Sequence, residues 1–564
     1  MTQDRIITGA RANRAESRNR NQGRETDMTH HDRKTGISRR RFLGTASAAS
    51  MTIAGVSIAG MPGSAGAQSG GTLVYAVNSI NGNFEPTVWH GFGDSVITMD
   101  SLARGLTRAN FETAAIEPAV AESWEVSDDG TAWTFRIREG VKMHDGRTAT
   151  AEDVMRTFNR ILDQEDPSRP EGSGAIDNLG GDNLLGIEKI DEMTVRFNLN
   201  APDQAFPARL SRPDMVIISA DALDEFGADV GKNLVSCGPF RLADVSPGES
   251  AILDAFPDFF AGAPAVERLV FQVLPDPLAL TSAMLSGEVQ CSNFVPHANL
   301  DRLAESGRVE VAEPDPYINL FLAMNAKSEV LSDIRVRRAI NLAIDRDAVI
   351  AEAFLGKARK PAYFSTEVML GYDPAHQRYS ERNMEEAKRL LAEAGAEGAT
   401  LRMHSQNTLF WPAVGQVVER NLSELGLEID TQYVESGSFF GTMFDVEAHD
   451  LGLWQRSAFM PDPDGKFSPL FFTGTLSADN TTAHTDLPIQ DELEERILAA
   501  LREGDRGRRD TLYAELNAFI AENVMVHAML ANIYTPVAAA SGISGLNTNG
   551  MGTYRVFLEN SRLG

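Results

Sequence analysis

Few residues of the chain combine the type and the spacing that enzymatic chemistry needs. His144 stands beside Asp145, but no second histidine lies at metal-ligand spacing and no H-E-x-x-H motif occurs. The segment 227–233 (GADVGKN) is one residue too short for a phosphate-binding G-x-x-x-x-G-K-[ST] loop and lacks its Ser or Thr. Cys237 and Cys291 are 54 positions apart and form no C-x-x-C pair, and the chain has no G-x-S-x-G motif. We therefore expect no catalytic residues, no metal and no cofactor; a metal or serine hydrolase is the alternative of the enzyme class.

The aromatic residues of the first third are expected to serve packing. Residues 128–130 (Asp-Asp-Gly) are a turn signal between two β-rich runs. After this turn Trp133, Phe135 and Ile137 alternate with polar residues, so they lie on one face of a strand. The pattern predicts a half-buried β-hairpin, in which Trp124 and Trp133 pack rather than bind.

Helix signals recur between the strand-like runs. Thr150 with Asp153 three residues later is typical of a capping box, and Ser332 and Asp345 are predicted to cap two further helices. Gly395 follows the run NMEEAKRLLAEA, where it is predicted to end a helix. Short strands alternating with such helices indicate an α/β protein.

Composition limits the classes of partner. The chain has 52 Lys and Arg, 79 Asp and Glu and a net charge of −27, which disfavours nucleic acid and anionic lipid surfaces as ligands. Its 564 residues are too many for one hydrophobic core, so two or three domains are expected. The only cysteines, Cys237 and Cys291, form either a disulfide or two buried thiols, and their spacing does not decide between these alternatives.

A basic cluster precedes a weakly apolar run near the N-terminus. Arg39, Arg40, Phe42 and Leu43 form a Ser-Arg-Arg-x-Phe-Leu core that resembles the twin-arginine export signal. The small residues 65–67 (Ala-Gly-Ala) fit a signal-peptidase site. We predict that residues 1–67 are a disordered N-terminus and a signal peptide.

Removal of this leader leaves 41 basic and 74 acidic residues, a net charge of −33. Met28 already gives a leader of ordinary length, so Met1 and Met28 are both candidate starts. No cysteine follows the apolar run, so a lipid anchor is not expected. The location predicted is the periplasm, reached through the twin-arginine route.

Several phrases of the remaining chain, in this order, resemble family 5 extracytoplasmic solute-binding proteins of ABC importers, the peptide/nickel type. The resemblance covers most of residues 71–560, and its most specific phrases are AESWEVSDDGTAWTFRIREGVKMHDGRTATAEDV, CGPFRLADVSPGES, LSGEV, RVRRAINLAIDRDAVI, LLAEAG and PDPDG. The family implies a bilobed periplasmic-binding-protein fold (type II, the large form with an extra domain), whose two lobes are joined by hinge strands. By this resemblance lobe I holds 71–104, 203–297 and 529–564, the extra domain 105–202, and lobe II 298–528.

The resemblance also identifies a departure at the ligand cleft. Peptide-binding members carry an Asp-Tyr-Pro-Asp-Pro-like stretch whose first aspartate holds the free amine of the peptide. Aligning 461–463 (Pro-Asp-Pro) puts Phe459 at that aspartate, Met460 at the tyrosine, and Trp454 two or three residues upstream of the usual tryptophan. An amine buried without its carboxylate loses about 3–5 kcal/mol.

Two explanations of this departure remain open. Either the solute has no free amine at this point, or a neighbouring acid, Asp462 or Asp445, takes the role; Asp462 and Asp464 also have a simpler reading as residues of a tight turn. We favour the first explanation, which points away from ordinary free peptides and toward an apolar, amide-bearing or polyol-bearing solute.

Other ligand-binding candidates follow from position in the family. His90 has an alternative as a structural residue, Tyr317 and Asn319 have one as core residues, and Arg456 has one as a surface residue. Asn407 and Trp411 are expected in a loop within residues 404–412. The full set of predicted ligand-binding residues is Trp89, His90, Tyr317, Asn319, Asn407, Trp411, Trp454, Arg456 and Phe459.

The function implied is transport. A monomeric periplasmic binding protein would capture a small organic solute, peptide-like or another oligomeric, amide or polyol compound, between its lobes. It would then deliver the solute unchanged to the membrane permease of an ABC importer. The alternative within the binding class is a carrier of a metal chelate such as nickel.

Overall fold

The computed structural model of the chain describes residues 71–88, 97, 101–163, 165–170, 173, 175–314, 316–435, 439, 445, 447–457, 459–472, 487–550 and 555–564. The predicted leader, with Arg39, Arg40, Phe42 and Leu43, lies outside these residues, and so do Trp89 and His90. No helix in the described part of the chain has the length and the hydropathy of a membrane span.

Strands and helices alternate along the described chain, as the sequence predicts. The strands are β1 (Thr72–Val77), β2 (Thr107–Asn110), β3 (Ala115–Pro118), β4 (Ala121–Val126), β5 (Ala132–Ile137), β6 (Leu184–Asp191), β7 (Thr194–Leu199), β8 (Phe240–Ser246), β9 (Ser250–Ala255), β10 (Arg268–Val273), β11 (Cys291–Ser292), β12 (Val309–Ala312), β13 (Ile318–Met324), β14 (Thr400–Gln406), β15 (Glu428–Val434), β16 (Leu451–Arg456), β17 (His527–Ile533), β18 (Val537–Ala540), β19 (Ile543–Ser544), β20 (Asn547–Gly550), β21 (Arg555–Phe557) and β22 (Arg562–Leu563). The helices are α1 (Ala151–Leu162), α2 (Ala175–Leu179), α3 (Phe206–Arg209), α4 (Ala220–Phe226), α5 (Pro277–Ser286), α6 (His297–Glu305), α7 (Ile334–Ala343), α8 (Arg346–Phe354), α9 (Met384–Ala394), α10 (Trp411–Leu425), α11 (Asp464–Phe471), α12 (Gln490–Arg502) and α13 (Arg506–Phe519).

The first lobe is built on a seven-stranded sheet, and we name it lobe I. Its strand order is β12-β18-β11-β1-β10-β9-β8. The first strand, β1, is central and pairs in parallel with both β10 and β11. Leu73 and Tyr75 of β1 are completely buried and pack with Phe271 of β10 in the core of this lobe. An apolar strand covered on both faces is what a buried parallel pair requires.

The second lobe is built on a five-stranded sheet, and we name it lobe II. Its order is β15-β14-β16-β13-β17, and β13 pairs antiparallel with β16 and β17. All residues of β13 are buried, as expected of a central strand covered on both faces. Helix α7 packs against α9 and α8 against α10, so helices cover this sheet.

The predicted hairpin lies in a separate four-stranded sheet of order β4-β5-β7-β6. Residues 128–130 make the turn between β4 and β5, and Trp133, Phe135 and Ile137 are 6%, 0% and 0% exposed. Trp124 packs on Phe135 with 6.0 Å between the ring centroids. The alternation that the sequence shows is therefore the alternation of buried and exposed side chains in β5.

Helix ends follow local side-chain chemistry. The capping box of Thr150 and Asp153 is present, and Asp345 Oδ1 accepts a hydrogen bond from the backbone of residue 348 at 3.0 Å. The expected cap Ser332 is displaced by one residue, because Asp333 takes that role and accepts from Arg335 N at 2.8 Å. Gly395 ends α9 in the left-handed region with φ +70°, as predicted.

The chain crosses between the two large sheets twice in the described region. Strand β12 pairs with β18 in the sheet of lobe I, and the next strand, β13, lies in lobe II. The return crossing spans residues 534–536, between β17 of lobe II and β18 of lobe I. The first crossing falls about 15 residues later than the boundary 297/298 that the sequence suggests, because α6 and β12 still pack with lobe I. The second falls about five residues later than 528/529, because β17 belongs to the sheet of lobe II.

Both cysteines are free and buried, so of the two alternatives the structure has the pair of thiols. Cys237 packs in the cluster of the four-stranded sheet, and Cys291 packs in the core of lobe I. Burial raises the pKa of Cys237 to about 12 and raises the pKa of Cys291 as well. Neither thiol is poised for redox chemistry.

Candidate ligand-binding site

A tight turn leads from the central sheet of lobe II into helix α11. Phe459 follows β16 and adopts the left-handed backbone conformation, with φ +53°. Asp462 Oδ1 accepts a hydrogen bond from Asp464 N at 3.0 Å, and Asp462 O accepts from Gly465 N at 3.1 Å. These bonds are the turn chemistry expected of Asp and Pro at this position.

Asp462 is bound by an arginine. Arg509 Nη1 and Nη2 donate to its two carboxylate oxygens at 2.6 Å and 3.0 Å, and Arg509 Nη2 also donates to Tyr513 Oη at 3.2 Å. Burial alone would lower the pKa of Arg509, but the Asp462 carboxylate outweighs it and the pKa is raised. The Asp462 carboxylate thus accepts three hydrogen bonds and its charge is matched by Arg509, so it is not a free counter-charge for the ammonium group of a solute.

Asp464 is bound by a second arginine, from the other side of the site. Arg209 of α3 forms an ion pair with Asp464 and donates to Asp203 Oδ2 at 2.8 Å. Helix α3 packs its Phe206 into the cluster of the four-stranded sheet, so this ion pair joins that part of the fold to lobe II. Burial would lower the pKa of Arg209, but the carboxylates of Asp203 and Asp464 raise it.

Asp445 does not take the role of the missing acid either. Its side chain is exposed and accepts from Glu447 N at 3.1 Å, while its backbone oxygen contacts His449 Nδ1 at 3.1 Å. The structure therefore favours the first explanation of the departure, because Asp462 is held by Arg509 and Asp445 lies at the surface.

Cationic groups gather where an amine would have required an acid. The Arg212 guanidinium lies 5.8 Å from the ring centre of Phe459 and donates to Asp214 Oδ1 at 3.0 Å. Arg456, at the end of β16, has its pKa lowered to about 10 by burial and by the nearby charge of Arg212. The polarity of this region is thus opposite to that of an amine-binding pocket.

Lys466 adds a third cation and is completely buried. Its Nζ donates to Phe364 O at 3.1 Å and lies 5.4 Å from the ring centre of Tyr317. Burial, with a contribution from Arg456, lowers the pKa of Lys466 well below its usual value.

Aromatic side chains line the same region. Tyr317 is 1% exposed, packs edge-on against Phe111 at 6.5 Å, and its Oη has no hydrogen-bond partner among the described residues. Trp454 stacks on Phe439 at 5.4 Å with 27° between the rings. Since Phe111 belongs to the β2–β3 turn and Tyr317 to the entry of β13, the aromatic contact links two parts of the fold.

Arg212 and Lys466 connect three predicted residues, Tyr317, Arg456 and Phe459, into one region. Three other predicted residues lie elsewhere, and Trp89 and His90 are outside the described residues. Asn319 is buried inside the sheet of lobe II, where Nδ2 donates to Asn532 Oδ1 at 2.8 Å. Asn407 is exposed after β14. The expectation that Trp411 lies in a cleft loop is wrong, because it opens α10 and is 3% exposed in the core of lobe II.

Sequence reasoning missed Arg212 and Lys466. A signal for Lys466 exists in the helix that follows the turn. Residues 463, 466, 467, 470 and 471 have helical spacing and all are buried, so the lysine occupies an apolar position of α11. For Arg212, far away in sequence, no local signal exists.

Comparisons with known proteins agree with this architecture. Residues 115–477 match the sequence model of the family described as "Bacterial extracellular solute-binding proteins, family 5 Middle". Di/tripeptide-binding protein 4 of Pseudomonas aeruginosa is 28% identical over 519 residues, which cover 87% of this chain and 96% of that protein. The dipeptide-binding protein of Escherichia coli is 26% identical and covers 82% of this chain and 90% of its own length.

Solved structures share the fold. A Pseudoalteromonas dipeptide-binding protein in complex with Met-Leu superposes with a TM-score of 0.77 at 22% identity, covering 88% of this chain and 100% of that one. The binding protein AgaA of Agrobacterium tumefaciens, in complex with agropinic acid, superposes with a TM-score of 0.76 at 24% identity. The superposition covers 88% of this chain and 99% of AgaA. Both are bilobed periplasmic binding proteins, which confirms the predicted fold class.

Proposed function

Because the chain belongs to family 5 of the bacterial extracellular solute-binding proteins, we propose that it binds a peptide-like solute at the site around Phe459. The family and the relatives make the protein a periplasmic solute-binding protein of an ABC importer. The proposal concerns which solute it carries and where the solute lies. Its support comes from the composition of the site between lobe II and the segment 203–212.

One observation carries the proposal: Phe459 stands where an amine-binding acid is expected, and both acids of the following turn, Asp462 and Asp464, are bound by arginines. A free α-amine would be buried here beside Arg212 and Arg456, at a cost of about 3–5 kcal/mol. The solute is therefore a peptide-like compound whose end at Phe459 carries no ammonium group.

Aromatic contacts supply enough binding energy without an amine pair. Burial of an aromatic side chain against the solute contributes about 1.5–3 kcal/mol. Phe459 and Trp454 both keep part of their surface accessible, so each has surface left to cover. Two such contacts with several hydrogen bonds of about 1 kcal/mol each reach the roughly 8 kcal/mol of micromolar affinity.

Titration with two matched dipeptides tests the proposal. We expect N-acetyl-Ala-Phe to bind the purified protein with micromolar Kd and Ala-Phe to bind at least tenfold more weakly, read from Trp fluorescence and calorimetry. Native mass spectrometry of the protein from its own periplasm should show one stoichiometric solute. Tighter binding of Ala-Phe than of the acetylated form would overturn the proposed solute class.

We also propose export of the folded, monomeric protein through the twin-arginine route. The support is the Ser-Arg-Arg-x-Phe-Leu core with Arg39 and Arg40. Replacing both by lysine should retain the precursor in the cytoplasm, whereas Arg41→Lys, outside the pair, should leave export unchanged. Normal export of the double variant would contradict the route, and size-exclusion chromatography with light scattering would test the monomer.

A further inference from the structure

Lys466 has no acidic partner among the described residues. Its side chain is 0% exposed, and its hydrogen bond goes to a backbone oxygen, Phe364 O, at 3.1 Å. The other buried cations of the site differ, because Arg209 and Arg509 each hold a carboxylate. A buried ammonium without a counter-charge is strongly disfavoured, so a lysine at this position needs an explanation.

A second polar group without a partner lies against the same lysine. Tyr317 is 1% exposed, its Oη has no hydrogen-bond partner among the described residues, and its ring centre is 5.4 Å from Lys466 Nζ. A buried hydroxyl without a partner has a cost of its own. The two groups are donors, and one acceptor placed between them would satisfy both.

The charged side chains around Lys466 and Tyr317 indicate that this acceptor is an anion. Burial is the main cause of the lowered pKa of Lys466 and of Arg456, and the nearby charges of Arg456 and Arg212, respectively, lower them further. The nearby carboxylate of Asp462 is occupied by Arg509. Arg212 is matched by Asp214, whereas Arg456 Nη2 and Lys466 Nζ donate to backbone oxygens, so this region has an excess of positive charge and hydrogen-bond donors.

We propose that the region of Lys466 and Tyr317 binds a carboxylate of the solute, which forms an ion pair with Lys466 Nζ and accepts a hydrogen bond from Tyr317 Oη. The inference rests on the proposed function, since it names the group by which a peptide-like solute is held. It assigns to Lys466, Tyr317 and Arg456 the recognition of an anionic end. Such a solute carries a negative charge and no ammonium group at this end of the site.

The test compares two probes that differ in one carboxylate alone, at the acylated end that the proposed function places beside Phe459: N-succinyl-Ala-Phe (the acid) and N-succinamoyl-Ala-Phe (the amide). Since a charged hydrogen-bonded pair contributes about 1.5–3 kcal/mol, we expect the acid to bind roughly tenfold to a hundredfold more tightly than the amide. In Lys466→Met this preference should vanish, through weaker binding of the acid. Tyr317→Phe should weaken the binding of the acid a few-fold and leave the binding of the amide unchanged.

Lys388→Met, on the exposed face of α9, is the matched control and should keep the full preference. Lys466→Gln repeats the test with a polar side chain if the methionine variant is poorly folded. Equal binding of acid and amide by the wild-type protein would overturn the inference and leave the proposed function standing. Binding of neither would overturn the peptide-like function and the inference with it, and an unchanged preference in both Lys466 variants would overturn the role of the lysine.

Discussion

The guanidinium of Arg509 donates to both carboxylate oxygens of Asp462, at 2.6 Å and 3.0 Å, across the short distance between helix α13 and the turn that precedes α11. Both side chains are about nine-tenths buried. This ion pair fixes the turn that carries Phe459 and removes the nearest acid from contact with solute. The ion pair therefore stabilises the fold and, because it occupies Asp462, leaves the site without a free carboxylate at this point.

Asp462→Asn should destabilise the protein by about 3–5 kcal/mol, because Arg509 keeps its buried charge and loses its partner. The measurement is urea unfolding of the mature protein. The exposed Asp445→Asn is the control and should change the free energy of unfolding by less than about 0.5 kcal/mol. If Asp462 instead bound a solute amine, Asp462→Asn would weaken the binding of Ala-Phe far more than the binding of N-acetyl-Ala-Phe.

Phe459→Asp should shift selectivity toward free amines. Aspartate tolerates the φ of +53° at this position better than phenylalanine and supplies the missing charge, although the Arg212 guanidinium competes for it. We expect the affinity for Ala-Phe relative to N-acetyl-Ala-Phe to rise about tenfold or more, as one charged contact allows. Phe459→Asn, equally tolerant of this backbone but neutral, is the matched control; an equal ratio in both variants would show that the position lies away from the amine.

Lys466 should make stability depend on pH in a defined direction. Its folded pKa is lowered by burial and by Arg456, so the unfolded chain binds more protons between the folded pKa and about 10.4. The free energy of unfolding of the wild type should therefore rise toward that of Lys466→Met as the pH increases through this window.

The other groups that face Lys466 do not obscure this difference. Burial raises the pKa of Tyr317, so its phenol stays neutral. The pKa of Arg456 is lowered to about 10, and this residue is present in both proteins, as is the Asp462–Arg509 pair. Paired urea titrations from pH 7 to pH 10 give the comparison; a gap that widens with pH would refute the assignment of a buried ammonium.

Arg209→Met should reduce the stability of the protein more than the loss of an exposed ion pair does. Arg209 joins Asp203 and Asp464 and is buried, so its loss leaves two buried carboxylates without their counter-charge and should cost about 3–5 kcal/mol. Arg268→Met removes an exposed pair with Asp254 and should cost about 1 kcal/mol or less. Equal losses in chemical denaturation would mean that the Arg209 network contributes no more than a surface contact.

The two cysteines should be unreactive in the folded protein. Both Cys237 and Cys291 are completely buried and burial raises the pKa of each thiol, so little thiolate forms at neutral pH. A chromogenic disulfide reagent should detect no thiol in the native protein and two after denaturation without reductant. Detection of none after denaturation would indicate a disulfide.

Local patterns were enough to predict much of the framework. The hairpin around residues 128–130, the capping box at Thr150 and the stop at Gly395 depend on neighbours within a few positions, so the sequence contains their causes. Where two local signals compete, prediction is off by one residue, as with Ser332 and the actual cap Asp333. The predicted loop at Trp411 is instead the start of α10, where Pro412 fits the first turn of the helix.

The site was less predictable because its contacts are long-range. Phe459 could be identified from its place in the turn, but its neighbour Arg212 comes from a segment about 250 residues earlier. Lys466 resembles an exposed lysine in the phrase PDPDGKF. Only the packing of α11 against Tyr317 and Phe364 shows that it is enclosed.

The three-residue return crossing at 534–536 makes this chain a candidate scaffold for an optical sensor. Because only two short segments connect the sheets of the two lobes, the lobes can move relative to each other in few ways. The distance between one dye on each lobe would therefore report whether solute is bound. Cysteines introduced at the exposed Asp258 in lobe I and Glu385 in lobe II would be labelled selectively, because both native thiols are enclosed. Energy transfer between the dyes would then convert solute concentration into a ratio of two emission intensities, without any added reagent.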